Sequence, residues 1–183
     1  MNFIPTKLDG CYIIEPKIIK DERGYFMESF NENTFQKGVQ QDVHFVQDNQ
    51  SFSTKGVLRG LHYQTGSHCQ AKLVRVLHGE VLDIAVDIRP ESKTFGEHIA
   101  IALSANNQKQ FFVPRGFAHG FLVLSDTATF FYKCDNFYNK DSEGGILFND
   151  PELNLDWQFP EVELIISEKD QILPTLANAK KPW

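Results

Sequence analysis

The stretch Leu58-Arg59-Gly60-Leu61-His62-Tyr63-Gln64 sets a histidine among apolar residues, with an arginine three places before it. An imidazole in such a place has three uses: a hydrogen-bonded core residue, a metal ligand, or a base that exchanges protons near neutral pH. Three other side chains sit where they could work beside it. Lys72 shares a strand face with Val74 and Val76, so it either snorkels at the strand end or points into a cavity. Tyr132 shares a face with Phe130 and Cys134, which directs it inward, where a tyrosine is ordinarily a core residue with a bonded hydroxyl. Asp170 closes Ser167-Glu168-Lys169-Asp170, spaced like a helix capping box with a variant acid at the third helical position. That carboxylate therefore has a local structural use that competes with any chemical one.

The elements that must position these groups read as strands. Residues 72–77 (KLVRVL) are followed by His78-Gly79-Glu80 and then by 81–89 (VLDIAVDIR). In the second run Leu82, Ile84, Val86 and Ile88 share one face, while Asp83, Asp87 and Arg89 lie on the other. This alternation about a short glycine turn predicts a hairpin. Further strands are expected over 98–103, 110–113, 120–124 and 127–135. Short strands separated by turn residues indicate an all-β sandwich or jelly-roll barrel. Helices are few: 32–39 has room for two turns, and 167–177 is the better candidate although Pro174 interrupts it. Residues 141–159 read as an irregular packed loop. No repeat, low-complexity tract or linker divides the chain, so residues 1–183 are expected to form one domain.

Composition narrows the functions. Hydrophobic residues make up 42% of the 183, enough for a real core and against disorder. A net charge of −6 argues against a general nucleic-acid or anionic-membrane binder. It leaves room for a phosphorylated ligand, because two charges about 4 Å apart near a surface interact by roughly 4 kcal/mol and local placement outweighs a diffuse total. Cys11, Cys69 and Cys134 are isolated, which fits neither a disulfide framework nor a zinc motif, and points to reduced residues in a cytoplasmic protein. The first residues lack the pattern of a signal peptide, and no apolar run approaches the ~18 residues of a membrane span.

The segment Pro114-Arg115-Gly116-Phe117-Ala118-His119 follows an expected strand and resembles the second motif of the cupin superfamily, whose fold is a double-stranded β-helix or jelly roll. In metal-binding cupins the other ligands come from an earlier His-x-His and a following Glu. Here that place reads His62-Tyr63-Gln64, and His68 lies six positions on, so the usual three or four converging ligands are not supplied. The resemblance then sharpens. DERGYFMESF (21–30), FVQDNQSFS (45–53), GVLRGLHYQ (56–64), QAKLVRVLHGEVLDIAVDIR (70–89), FFVPRGFAHGFLVL (111–124), YKCDNFY (132–138) and ISEKD (166–170) resemble, in order, blocks of the dTDP-4-dehydrorhamnose 3,5-epimerase family, a metal-free branch of that superfamily.

The resemblance implies inversion of C3 and C5 in a dTDP-linked 4-keto-6-deoxyhexose, feeding L-rhamnose synthesis, with no cofactor and a homodimeric protein. A C4 ketone acidifies the hydrogens at C3 and C5, so the reaction needs a base, a stabiliser for the enolate oxygen and an acid across the ring. By this resemblance His62 is the base, Asp170 its partner, Lys72 the enolate stabiliser and Tyr132 the acid. Arg23 and Arg59 correspond to pyrophosphate contacts, for which a guanidinium fork suits. Glu28, Gln47, Asp48 and Asn49 correspond to contacts with base and sugar, Tyr138 to a residue stacked on thymine, His119 to the substrate pocket, and Glu143 and Lys169 to nucleotide contacts. Runner-up readings are a relative that epimerises C3 alone, with Tyr132 as discriminator, a non-catalytic sugar-nucleotide binder, and a metal-dependent cupin oxygenase. In a regular strand Arg59 and His62 face opposite sides. Either Gly60 hosts a bulge that resets the alternation, or Arg59 serves another pocket, one shared with a neighbouring chain.

Overall fold

Alternating apolar residues give the chain its strands, and turn residues space them. The computed structural model describes residues 1–183. The strands are β1 Asn2–Pro5, β2 Tyr12–Glu15, β3 Ile18–Asp21, β4 Gly24–Met27, β5 Gln47–Thr54, β6 Val57–Gln64, β7 Lys72–His78, β8 Glu80–Asp87, β9 His98–Ser104, β10 Gln110–Val113, β11 Phe117–Val123, β12 Thr127–Cys134, β13 Glu143–Gly145 and β14 Ile165–Ile166. The two α-helices are α1 Glu32–Val39 and α2 Glu168–Gln171. One sheet runs β1-β2-β10-β7-β12-β5; the other runs β13-β6-β11-β8-β9, with β14 parallel to β6. This is the expected all-β, cupin-like jelly roll. β3 and β4 form a separate hairpin outside both sheets.

Three apolar clusters hold the layers together. Between the sheets, Val74, Val76, Phe111 and Phe130 of the first meet Val81, Ala85, Leu103, Phe121 and Val123 of the second. Behind the first sheet, Phe35 and Val39 of α1 cover Ile14, Leu73 and Phe112. Asn31 caps that helix by accepting from Thr34 N at 3.1 Å, and Phe35 lies edge-on to Phe112 at 5.1 Å between ring centroids. Behind the second sheet, Leu82, Ile84, Val86 and Ile88 pack against Ile146, Phe148, Leu153 and Trp157 of the C-terminal segment. Burying a side chain of this size stabilises the fold by about 1.5–3 kcal/mol.

Two expectations need correction. β7 and β8 are not a hairpin: β7 pairs with β10 and β12, and β8 pairs with β9 and β11. Gly79 is the corner at which the chain leaves one sheet for the other. It has φ +78°, and a β-carbon there would lie 2.0 Å from the Thr127 carbonyl oxygen. A glycine turn signals a change of direction and does not name the partner strand. The tail helix is also far shorter than 167–177. α2 ends at Gln171, and a separate 3₁₀ turn covers Leu176–Asn178. Pro174 has no N–H, and in a continuous helix its ring would strike the Asp170 carbonyl.

β8 carries a subtler lesson. Its alternation is as expected, but the face bearing Asp83 and Asp87 turns inward, and both carboxylates are fully buried. Asp87 is satisfied by Arg89, Ser92 and Thr94. Asp83 serves the site described next.

Candidate active site

The second sheet carries an irregularity at Gly60. His119 lies opposite His62 and Phe121 opposite Arg59, so three steps along β6 match two along β11. That is a β-bulge, and it resets the alternation. Leu58 and Leu61 both join the outer cluster, while Arg59 and His62 both border the interior. Gly60 has φ +121°, and a β-carbon there would stand 2.6 Å from Gly120 Cα and 2.8 Å from the His119 carbonyl oxygen. The bulge accounts for both residues bordering one cavity within this chain.

α2 brings the carboxylate. Ser167 Oγ accepts from Asp170 N at 3.2 Å, so the hydroxyl does the capping and the Asp170 side chain is free to turn inward. Its Oδ1 lies 2.7 Å from His62 Nε2, and its Oδ2 accepts from Gly60 N at 3.3 Å. Burial pushes this carboxyl up, but the His62 ring, Gly60 N and Ser167 outweigh it and hold it below the usual aspartate range. A carboxylate accepts, so Nε2 carries the hydrogen and Nδ1 is left as the basic nitrogen.

A second pair stands opposite the first. His119 Nε2 lies 2.9 and 3.0 Å from the two oxygens of Asp83, deep in the sheet. Asp83 was not among the expected site residues. Its signal was present: an acid in the middle of a strand whose other face is wholly apolar.

The first sheet supplies the facing wall. Lys72 opens β7, and its Nζ donates to the His62 carbonyl at 3.4 Å. Burial pulls its ammonium down, with Cys134 and Asp83 acting against the shift. Tyr132 lies on β12, and burial pushes its phenol up. A cavity of about 560 Å³ is bordered by Arg59, His62, Lys72, His119, Tyr132 and Asp170, with Phe121 and Phe130 stacked 4.0 Å apart as an apolar patch. A second cavity of about 450 Å³ shares His62, Lys72, Tyr132 and Lys169 and extends to Tyr138 and Glu143. Both volumes fall in the range of small-molecule sites.

Around the second cavity the polar groups form a chain. Tyr138 Oη donates to Glu143 Oε1 at 2.9 Å, and Lys169 Nζ donates to Glu143 Oε2 at 2.5 Å. The Lys169 bond pulls the Glu143 carboxyl down. Tyr138 N donates to Gln47 Oε1, and Gln47 Nε2 donates to Asn49 Oδ1. The side chain of Asp48, between them on β5, points the other way and pairs with Lys133 at 2.9 Å. Five expected residues border neither cavity: Gln47, Asp48 and Asn49 on β5, and Arg23 and Glu28. Arg23, at the tip of the β3–β4 hairpin, is solvent-exposed and bonded to Asp21, and Glu28 accepts from Asn31.

The model of a family described as dTDP-4-dehydrorhamnose 3,5-epimerase matches residues 5–178. The chain is 54% identical to a dTDP-4-dehydrorhamnose 3,5-epimerase of Shigella flexneri, over 93% of each chain. It is 56% identical to a crystal structure of that enzyme from Elizabethkingia anophelis, with a TM-score of 0.95 and coverage of 100% and 99%. It is 50% identical to the Legionella pneumophila epimerase solved with dTDP-4-keto-L-rhamnose, with a TM-score of 0.93 and coverage of 97% and 93%. A 3'-monoepimerase from Streptomyces bikiniensis, solved as a His and Tyr double mutant, is 32% identical with a TM-score of 0.88 and coverage of 97% and 87%. Its two substituted residues have the spacing of His62 and Tyr132, so a tyrosine at that spacing does not by itself separate one-carbon from two-carbon epimerisation.

Proposed function

The chain belongs to the dTDP-4-dehydrorhamnose 3,5-epimerase family, and from that premise we propose how its own residues carry the reaction. The protein is an isomerase that inverts C3 and C5 of dTDP-4-dehydro-6-deoxy-D-glucose to give dTDP-4-dehydro-L-rhamnose, a step of rhamnose synthesis. His62 Nδ1 removes a hydrogen as a proton from the carbon beside the C4 ketone, and the C–H electrons move onto the carbonyl oxygen as an enolate. Asp170 holds the ring and stabilises the imidazolium. The Lys72 ammonium faces the enolate oxygen. Tyr132 returns a proton to carbon from the other side of the ring; water then reprotonates its phenolate and takes the proton from the His62 imidazolium. Repetition at the second carbon completes the change.

One observation carries this reading. His62, held at 2.7 Å by Asp170, stands on one sheet, while Lys72 and Tyr132 stand on the other, and all four border one cavity. A planar enolate lying between the walls has a base on one face and an acid on the other, as inversion demands.

We assign Arg59 to the pyrophosphate, His119 to the sugar pocket, Tyr138 to stacking on the base, and Gln47, Asn49, Glu143 and Lys169 to the nucleotide. Arg23 and Glu28 serve the site of a second copy in a homodimer. The β3–β4 hairpin supports this, since it presents Ile19, Tyr25 and Phe26 to solvent around Arg23. Residues 1–183 act as one domain, a reading supported by the C-terminal segment that covers the second sheet and supplies Asp170 to it. The three free, buried cysteines suit the cytoplasm.

The deciding test is incubation with dTDP-4-keto-6-deoxyglucose in deuterated water. Deuterium at both C3 and C5 is expected. Label at C3 alone indicates a monoepimerase, and label at neither carbon overturns the assigned chemistry.

A further inference from the structure

β5 presents a polar stripe to the interior: Gln47, Asn49, Ser51 and Ser53 alternate with the outward-facing Asp48, Gln50, Phe52 and Thr54. Three of the four inner side chains have partners within the chain. Gln47 binds Asn49 and Tyr138 N, Asn49 reaches Cys134 Sγ at 3.7 Å, and Ser53 accepts from Arg59 Nε at 3.2 Å. Ser51 has none, yet it borders the cavity that holds His62 and Asp170, and its hydroxyl is not sealed from it. It sits opposite Phe130 on β12, two residues from Tyr132. The neighbouring wall is the stacked Phe121–Phe130 pair, which offers nothing to a hydroxyl.

Resting on the function above, we propose that Ser51 is a specificity-determining residue whose hydroxyl binds the C2 or C3 hydroxyl of the hexose. Apart from His119 in the sugar pocket, the groups already assigned meet the reacting C–H bonds, the ketone and the nucleotide. The hexose keeps two hydroxyls that need partners when the cavity closes over them. A site that bonds a substrate hydroxyl discriminates against the analogue lacking it, because the protein group is then left unpaired. On the same stripe Ser53 fixes Arg59, so β5 orients the phosphate-binding arginine with one serine and leaves the next free for the sugar.

The test compares the protein with Ser51→Ala on dTDP-4-keto-6-deoxyglucose and on its 2-deoxy and 3-deoxy analogues, reading deuterium uptake at C5, which all three retain. Ser51→Ala should lower kcat/KM for the parent by about tenfold and leave dTDP affinity unchanged. With one analogue, the unsubstituted protein should show that loss already and Ser51→Ala should add nothing. Equal rates with the parent would overturn the proposal, as would the same loss with all three substrates, which marks a shaping role, or weakened dTDP binding. No uptake by the unsubstituted protein would instead remove the epimerase reading on which the proposal rests.

Discussion

Asp170 holds two parts of one strand at once: Oδ1 lies 2.7 Å from His62 Nε2, and Oδ2 accepts from the backbone N of Gly60. The carboxylate thus fixes the imidazole and the bulge that turns the imidazole inward. Both bonds come from a helix more than a hundred positions later in the chain.

Replacing His62 with Ala removes the base and leaves the nucleotide contacts in place. kcat/KM should fall by about a thousandfold, with dTDP affinity within about threefold. Isotope exchange and calorimetric titration on the same preparation check both halves. Turnover near that of the unsubstituted protein would reassign the base.

Asp170→Asn should cost about 10²–10⁴ in kcat, because the neutral amide no longer dictates the tautomer or stabilises the imidazolium. The same residue gives a stability signature. Its carboxyl is held below the ordinary 3.8, so its contribution is fully present above that value and is lost as pH falls through the lower folded value. Urea unfolding between pH 5 and 2 should therefore show a steeper acid loss in the unsubstituted protein than in Asp170→Asn.

Lys72 and Tyr132 are displaced in opposite directions, the ammonium downward and the phenol upward, both by burial. Both must keep their protons for the reaction. The alkaline limb of kcat/KM should therefore report Lys72. In Lys72→Arg, whose guanidinium stays charged, the limb of the residual activity should move to higher pH. An unmoved limb would assign it to another group.

Tyr132→Phe removes the proposed acid from one face. Proton removal by His62, and so exchange of the C3 and C5 hydrogens, should persist while inversion at both carbons is lost, as read by deuterium content beside the configuration of the recovered sugar. Inversion at the rate of the unsubstituted protein would place the tyrosine's role elsewhere.

Gly60→Ala should destabilise by about 3 kcal/mol or more, since φ +121° suits no side chain and the added carbon meets Gly120 and His119 backbone. Chemical denaturation measures it. A midpoint close to that of the unsubstituted protein would mean that β11 yields.

By itself the sequence determined the layered β character, since alternation such as that of β8 admits only a sheet buried on a face. It also determined α1, whose apolar Phe35 and Val39 sit one turn apart behind an Asn cap. The four proposed catalytic residues were legible only through seven blocks in order; singly, each also suited a core or a cap. β5 escaped notice. Its inner face is polar because it borders a cavity, so it lacks the apolar alternation that betrays a strand. What tertiary structure alone decided was partnership. Gly79 marks a turn but not that β7 and β8 join different sheets. Gly60 permits a bulge but does not require one. Asp83 finds its use only when β11 brings His119 beside it, because pairing between distant strands is set by the packing of the whole and not by local spacing.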